Sequence, residues 1–248
     1  MTHTQYDGLT TAIINPLGQT KTKVVNHQGQ TVTSSDDEGT VLTFNLDSQG
    51  NPLQIIDPLW NYTVMTHDVR GKRLSLLDPN AGLTTSTYDA KGQVLTQTNA
   101  KAETITYVYD VLGRVRQRIS PEGTQTWTYD TAPHGKGKIA YIEGLNSYRE
   151  DFSYDVLGRP TQTKKRIGGK DYISGQSYDS LSRLDVMRYP SGLEIEHFYT
   201  ARGDLSEIKR VDTNSVLLRI DTINAKGQLE QKTLGNGLIT SKTYDSET

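Results

Sequence analysis

Residues 104–120 read Thr-Ile-Thr-Tyr-Val-Tyr-Asp-Val-Leu-Gly-Arg-Val-Arg-Gln-Arg-Ile-Ser. In this stretch two alternating segments flank Asp110-Val111-Leu112-Gly113. Thr104, Thr106 and Val108 fall on one face of the first segment, and Ile105, Tyr107 and Tyr109 on the other. After the glycine, Val115, Gln117 and Ile119 are expected to share one face, with Arg114, Arg116 and Arg118 opposite. A two-residue period marks a strand, and a helical period is absent. Asp accepts a hydrogen bond from the backbone N–H two residues on, which opens a type I turn. Gly supplies the left-handed conformation that closes it. The stretch is therefore a β-hairpin.

The same hairpin recurs along the chain. Gly29, Gly50, Gly71, Gly92 and Gly113 follow one another at steps of 21 residues. Gly137, Gly158, Ser182, Gly203 and Gly227 continue the series at steps of 24, 21, 24, 21 and 24. The motif Tyr-Asp-x-x-Gly stands out at Tyr88-Asp89 with Gly92, Tyr109-Asp110 with Gly113, and Tyr154-Asp155 with Gly158. Tyr178-Asp179 has Ser182 in the glycine place, Tyr129-Asp130 precedes a longer loop, and Tyr244-Asp245 opens another copy. Degenerate copies carry Val25-Asn26, Leu46-Asp47, His67-Asp68, Tyr199-Thr200 and Ile223-Asn224.

An apolar residue follows the glycine: Val94, Val115, Leu184, Leu205 and Leu229, and in degenerate copies Val32, Leu53 and Leu74. It is expected to meet the Tyr-position residue across the strand pair. A second turn lies midway, as in Asn15-Pro16-Leu17-Gly18, Asp57-Pro58, Asp78-Pro79-Asn80-Ala81-Gly82 and Ser120-Pro121-Glu122-Gly123. Two turns and two strands of roughly 5–7 residues per repeat predict an all-β chain of tandem antiparallel hairpins. About ten repeats of 21–24 residues make residues 1–248 one array.

Composition agrees. Hydrophobic residues are 33% of the 248, and the 22 glycines bring the share to about 42%, below the roughly 45–50% of ordinary domains. Mean hydropathy is −0.61. The interior should be thin or partly polar. The 14 Tyr against 3 Phe, with abundant Thr, suit a pleated, half-buried surface and not a disordered chain. Without cysteine there is no disulfide and no thiolate metal site. A net charge of −2 with interspersed signs gives no pull towards nucleic acid, and no run is apolar enough for membrane insertion. The first residues, MTHTQYDGLTTAIINPLG, lack the basic and apolar regions of a signal peptide.

This pattern resembles the YD-repeat, or Rhs-repeat, family, from Tyr6-Asp7-Gly8 to Tyr244-Asp245. That family includes Rhs polymorphic toxins, shell-forming subunits of insecticidal toxin complexes, and teneurins. The resemblance implies a sheet that curves or spirals into a shell segment or barrel. It implies a non-catalytic, structural function within a larger secreted or cell-surface bacterial protein. The implied partners are the rest of the parent shell and its toxin cargo. Such shells need more repeats than these, so the chain is expected to be a fragment of a longer protein. Its open edge strands invite edge-to-edge self-association.

The residues that could carry chemistry fit scaffold roles better. His3, His27, His67, His134 and His197 have no helical partner or nucleophile motif, and His67 stands in a Tyr position. Asp89, Asp110, Asp130, Asp155 and Asp179 resemble carboxylate pairs, but their place before the turn glycine makes them turn residues. Asp36-Asp37-Glu38-Gly39 lacks the alternating ligands of a calcium loop. His134-Gly135-Lys136-Gly137-Lys138 lacks phosphate-loop spacing and reads as an expanded hairpin loop. The basic clusters at Arg114, Arg116 and Arg118 and at Lys164, Lys165 and Arg166 read as charged sheet faces. No catalytic, metal or cofactor site is expected. An alternative role is a binding module in which Tyr107, Tyr109, Trp127 and Tyr129 form an aromatic row for glycans, or for a protein partner.

Overall fold

The computed structural model describes residues 2–244, so Asp245 of the last motif lies outside the described residues. The chain divides into two compact units, Met1–Thr124 and Gln125–Thr248. The first holds β1 (His3–Asp7), β2 (Thr10–Ile14), β3 (Thr20–Val25), β4 (Thr31–Ser35), β5 (Val41–Leu46) and β6 (Pro52–Ile56). It continues through β7 (Tyr62–His67), β8 (Arg73–Asp78), β9 (Gly82–Tyr88), β10 (Val94–Thr98), β11 (Thr104–Tyr109) and β12 (Val115–Ser120). Every consecutive pair from β1 to β12 is antiparallel.

β13 (Gly123–Tyr129) starts in the last residues of the first unit, and the second goes on with β14 (Ile139–Glu143), β15 (Arg149–Tyr154), β16 (Pro160–Ile167), β17 (Lys170–Tyr178) and β18 (Leu184–Arg188). It ends with β19 (Glu194–Tyr199), β20 (Leu205–Arg210), β21 (Val216–Ile223), β22 (Leu229–Leu234) and β23 (Ile239–Ser241). Consecutive pairs are again antiparallel throughout. The fold is all-β, in tandem hairpins, and strand contacts run between sequence neighbours. Such contacts make the array quasi-one-dimensional, each hairpin leaning only on the next.

The core is correspondingly thin. Met65, Ala140 and Ile195 are the buried hydrophobic residues among those described, and no side chain is wholly buried. A single sheet layer leaves both faces partly wet, which a chain of low mean hydropathy tolerates.

A recurrent bulge corrects the simple alternation read from the sequence. Tyr109 pairs with Val115, yet its neighbour Val108 pairs with Gln117. One residue, Arg116, is thus extra on the returning strand, and one extra residue exchanges the faces beyond it. Directly opposite residues share a face. Val115 therefore lies on the Tyr109 face, while Gln117 and Ile119 lie with Val108 and Thr106. Arg118 stands opposite Tyr107, so Arg114, Arg116 and Arg118 do not form one charged face.

The same shift follows Tyr88–Val94, Tyr129–Ile139, Tyr154–Pro160, Tyr178–Leu184 and Tyr199–Leu205. It also moves the expected partners in three degenerate copies. Val25, Leu46 and His67 pair with Thr31, Pro52 and Arg73, and Val32, Leu53 and Leu74 occupy the bulge one residue further on.

Candidate functional site

The most regular chemistry of the molecule is the Tyr-Asp-x-x-Gly turn and its links to the turn before and after it. The hairpin of β11 and β12 shows the parts. Asp110 N–H donates to the Arg114 carbonyl at 2.9 Å, and Gly113 N–H to the Asp110 carbonyl at 3.0 Å. Oδ1 of Asp110 accepts the N–H groups of Leu112 and Arg114, both at 2.9 Å. Oδ2 accepts Nε of Arg114 at 2.7 Å. Gly113 closes the turn at φ +81°. There the αL conformation costs an L-residue roughly 1–2 kcal/mol and glycine nothing comparable. One carboxylate thus satisfies backbone donors that a bare turn would leave to water.

The backbone N–H of Arg114, then the Arg114 side chain, hold the Asp110 carboxyl below its ordinary range despite some desolvation. The N–H of Lys72 does the same for Asp68, and that of Ala81 for Asp78. Several midway turns of the first unit use the same device, as Asp36 shows by accepting Glu38 and Thr40 N–H at 3.1 and 2.8 Å.

Where a repeat carries the tyrosine, that side chain ties it to the preceding repeat. Tyr109 Oη donates to the Val94 carbonyl at 2.8 Å, and Val94 is the residue paired with the preceding repeat's Tyr88. The offset of 15 residues recurs as Tyr88 to Arg73, Tyr154 to Ile139, Tyr199 to Leu184 and Tyr244 to Leu229. Tyr178 reaches Pro160 across 18 residues, absorbing the three-residue insertion. In each case the acceptor is the first residue of the bulged strand. Burial lifts the Tyr109 phenol above its usual value, with Tyr107 and Asp89 adding to it, and burial alone lifts Tyr154. A phenol so placed keeps its proton and stays a donor.

The residue after the glycine forms the reciprocal link. Arg159 pairs with Asp155 at 2.6 Å and lies 4.3 Å from the Tyr178 ring centroid. Arg183 pairs with Asp179 at 2.7 Å and lies 4.3 Å from the Tyr199 ring. Gln93 donates to the Gly113 carbonyl at 2.7 Å. These contacts make a polar and aromatic seam along the repeats that carry the tyrosine.

The residues singled out in the sequence fall as follows. Tyr88, Asp89, Gly92, Tyr109, Asp110 and Gly113 form two consecutive seam positions in the first unit. Tyr154, Asp155, Gly158, Tyr178 and Asp179 do so in the second. Ser182 takes the glycine place at φ +64°. Asp130 is placed otherwise: it sits at φ +67° and its Oδ1 accepts Gly137 N–H at 2.6 Å. The three-residue insertion moves that capping contact to seven residues away, while Tyr129 still pairs with Ile139.

His67 stands in a Tyr place with its Nδ1 buried and unpartnered. Of the aromatic row, Tyr107 and Tyr109 lie on β11 of the first unit and Trp127 and Tyr129 on β13, all half-buried. The hydroxyl of Tyr109 is committed to Val94. Among the described residues no group of three or more His, Cys, Asp or Glu is placed to hold a metal ion. Sequence reasoning missed the hydroxyl bond and the double duty of the arginine. The excess of Tyr over Phe was the available signal for the first.

Repeated hairpins, most of them capped by an Asp or Asn that opens the turn, define a repeat protein. Residues 88–125 match the family model described as RHS Repeat. That stretch of the chain, which holds the Tyr88-Asp89 and Tyr109-Asp110 turns, thus carries an Rhs repeat. No curated protein matches it. Among solved structures, TcdB2-TccC3 is similar at 16% identity with a TM-score of 0.84, over 100% of this chain and 15% of that one. TcdB2-TccC3-Cdc42 gives the same identity, TM-score and coverage. A Photorhabdus luminescens Tc holotoxin pore carrying a mutated TccC3 gives 16% identity and a TM-score of 0.79, over 98% of this chain and 15% of that one. The likeness is one of fold, and the chain spans about 15% of the length of these solved chains.

Proposed function

We propose that this chain is a non-catalytic wall segment of an Rhs-type shell, in which one repeat array runs through residues 1–248. The observation that carries this reading is the inter-repeat seam. Its hydroxyl, carboxylate and guanidinium groups are spent on neighbouring turns, and what they produce is an extensible sheet. In the parent protein the sheet encloses a toxin polypeptide, and the segment's partners are the rest of that shell and its cargo. Such a protein acts outside the cell that makes it. The residues Tyr88, Asp89, Gly92 and their counterparts serve to hold register, and the open edges of the array join further repeats.

Limited proteolysis of the longer parent protein tests this. An enclosed polypeptide resists protease while the shell is folded and becomes cleavable once urea opens it. Equal cleavage rates in both conditions would refute enclosure.

A further inference from the structure

Ile223, paired with Leu229, stands where a repeat tyrosine is expected, and the place it leaves is hollow. On the Leu205 side, pairing between β20 and β21 ends at Glu207–Arg219. Pairing between β10 and β11 ends likewise at Thr96–Thr106, and that between β18 and β19 at Val186–Glu196. In those two places a tyrosine spans the gap, with Tyr109 reaching the Val94 carbonyl and Tyr199 the Leu184 carbonyl. The residue in the corresponding place on β20 is Leu205, which pairs with Tyr199 at the start of a bulged strand. Leu205 precedes Ile223 by 18 residues, the offset that Tyr178 spans to Pro160. Ile223 is too short to span it and carries no hydroxyl.

The side chain that covers the ring is missing as well. Arg159 and Arg183, each following a turn residue with positive φ, lie over the rings of Tyr178 and Tyr199. After Gly203 the chain has Asp204 instead, and a Cβ placed on Gly227, one repeat on, would meet nothing within 4 Å. With ring and guanidinium both absent, a hollow of about 400 Å³ opens, lined by Thr200, Arg202, Asp204, Leu205, Asp221 and Ile223 among others. The other places without a tyrosine are closed. Val25 N–H donates directly to the Leu9 carbonyl at 2.9 Å, so no gap forms there. In the repeats of Leu46 and His67, the Gln30 and Asn51 side chains lean onto Gly50 and Gly71.

We propose that this hollow binds a 4-hydroxyphenyl group, so that a ring from outside the chain makes the contact its own tyrosines make elsewhere. The ring would lie against Ile223 and Leu205, and its hydroxyl would donate to the Leu205 carbonyl. Arg202 lines the hollow and makes no ion pair among the described residues, so its guanidinium is available to the ring face as those of Arg159 and Arg183 are to Tyr178 and Tyr199. A ring without the hydroxyl would exclude water from the carbonyl and leave it unpaired, at a cost that a phenol avoids. The volume suits a small guest, since small-molecule sites begin at about 300 Å³.

The test is saturation-transfer-difference NMR on the full 248-residue chain with 4-methylphenol, and with toluene as the ring that lacks the hydroxyl. 4-Methylphenol is expected to bind saturably with a Kd on the order of 1 mM, and toluene about fivefold more weakly. Its ring protons should give NOEs to the methyl groups of Ile223 and Leu205. Ile223→Tyr fills the place from within and should abolish binding with circular dichroism unaltered, whereas Tyr107→Phe should leave binding unchanged. N-acetyltyrosine amide separates the sources. Tighter binding than 4-methylphenol assigns the site to a tyrosine of another polypeptide, and equal or weaker binding to a free phenol. No saturable binding of either phenol, toluene bound as tightly, or NOEs confined to other residues would overturn the proposal. So would binding that survives in a folded Ile223→Tyr chain.

Discussion

Tyr109→Phe removes one oxygen and tests the seam where it is best defined. The ring stays, so no cavity opens and packing against β12 is kept. What is lost is the 2.8 Å bond from Oη to the Val94 carbonyl. A neutral hydrogen bond contributes a net 0.5–1.5 kcal/mol or so. Because Tyr109 is half-buried, water partly replaces the lost donor, which places the cost in the lower part, at about 0.5–1 kcal/mol. Tyr107→Phe is the control. Tyr107 is two residues away on the same strand and outside the repeat position, so its change should stay within about 0.5 kcal/mol of zero.

The double variant Tyr154→Phe/Tyr199→Phe removes two separate bonds of the second unit. Distant sites add, giving about 1–2 kcal/mol. Urea unfolding followed by circular dichroism measures each difference. Equal costs for Tyr107→Phe and Tyr109→Phe, or a neutral double variant, would refute the claim that the hydroxyls couple repeats.

Three further outcomes follow from the same geometry. Ser182→Gly should stabilise by about 1 kcal/mol, since Ser182 holds φ +64° where other repeats have glycine, and a fall in the urea midpoint would contradict this. His67→Tyr should raise the midpoint, because its hydroxyl would stand 15 residues from the Pro52 carbonyl and the unpartnered Nδ1 would be gone. An unchanged or lower midpoint would show that this position does not follow the rule of the others. Stability should be flat above about pH 5 and fall as the medium is acidified below about pH 4. The carboxyls of Asp36, Asp68, Asp78 and Asp110 lie below their unfolded values, so the unfolded chain binds protons first, and stability is lost as pH falls through the folded values. Stability that rises on acidification in urea titrations at stepped pH would contradict that sign.

Much of the fold was legible because its information is local. The 21-residue beat, the Asp before the turn and the glycine that closes it each follow from one or two neighbouring residues. The bulge was not legible. Nothing in Val115-Arg116-Gln117 says that Arg116 is unopposed, since that depends on the partner strand, and it misplaced Arg118 and the apolar residues of three degenerate copies. The hydroxyl bond was hidden for the same reason: its acceptor is a backbone carbonyl 15 residues back, which carries no side-chain signature. A strand-forming role does not by itself call for Tyr, since Phe would serve that purpose as well. The hollow beside Ile223 depends on side chains of two adjoining repeats, and spacing alone does not reveal it.

Under the proposed shell role, these hairpins form part of the wall of a hollow particle. Cryo-electron microscopy of the longer protein that contains residues 1–248 tests it most directly. The expected map shows the strands of this segment within a continuous single-layer wall around a cavity, each repeat tyrosine touching the bulge of the repeat before it. A segment folded back into a solid core, or a particle without an internal cavity, would contradict the account.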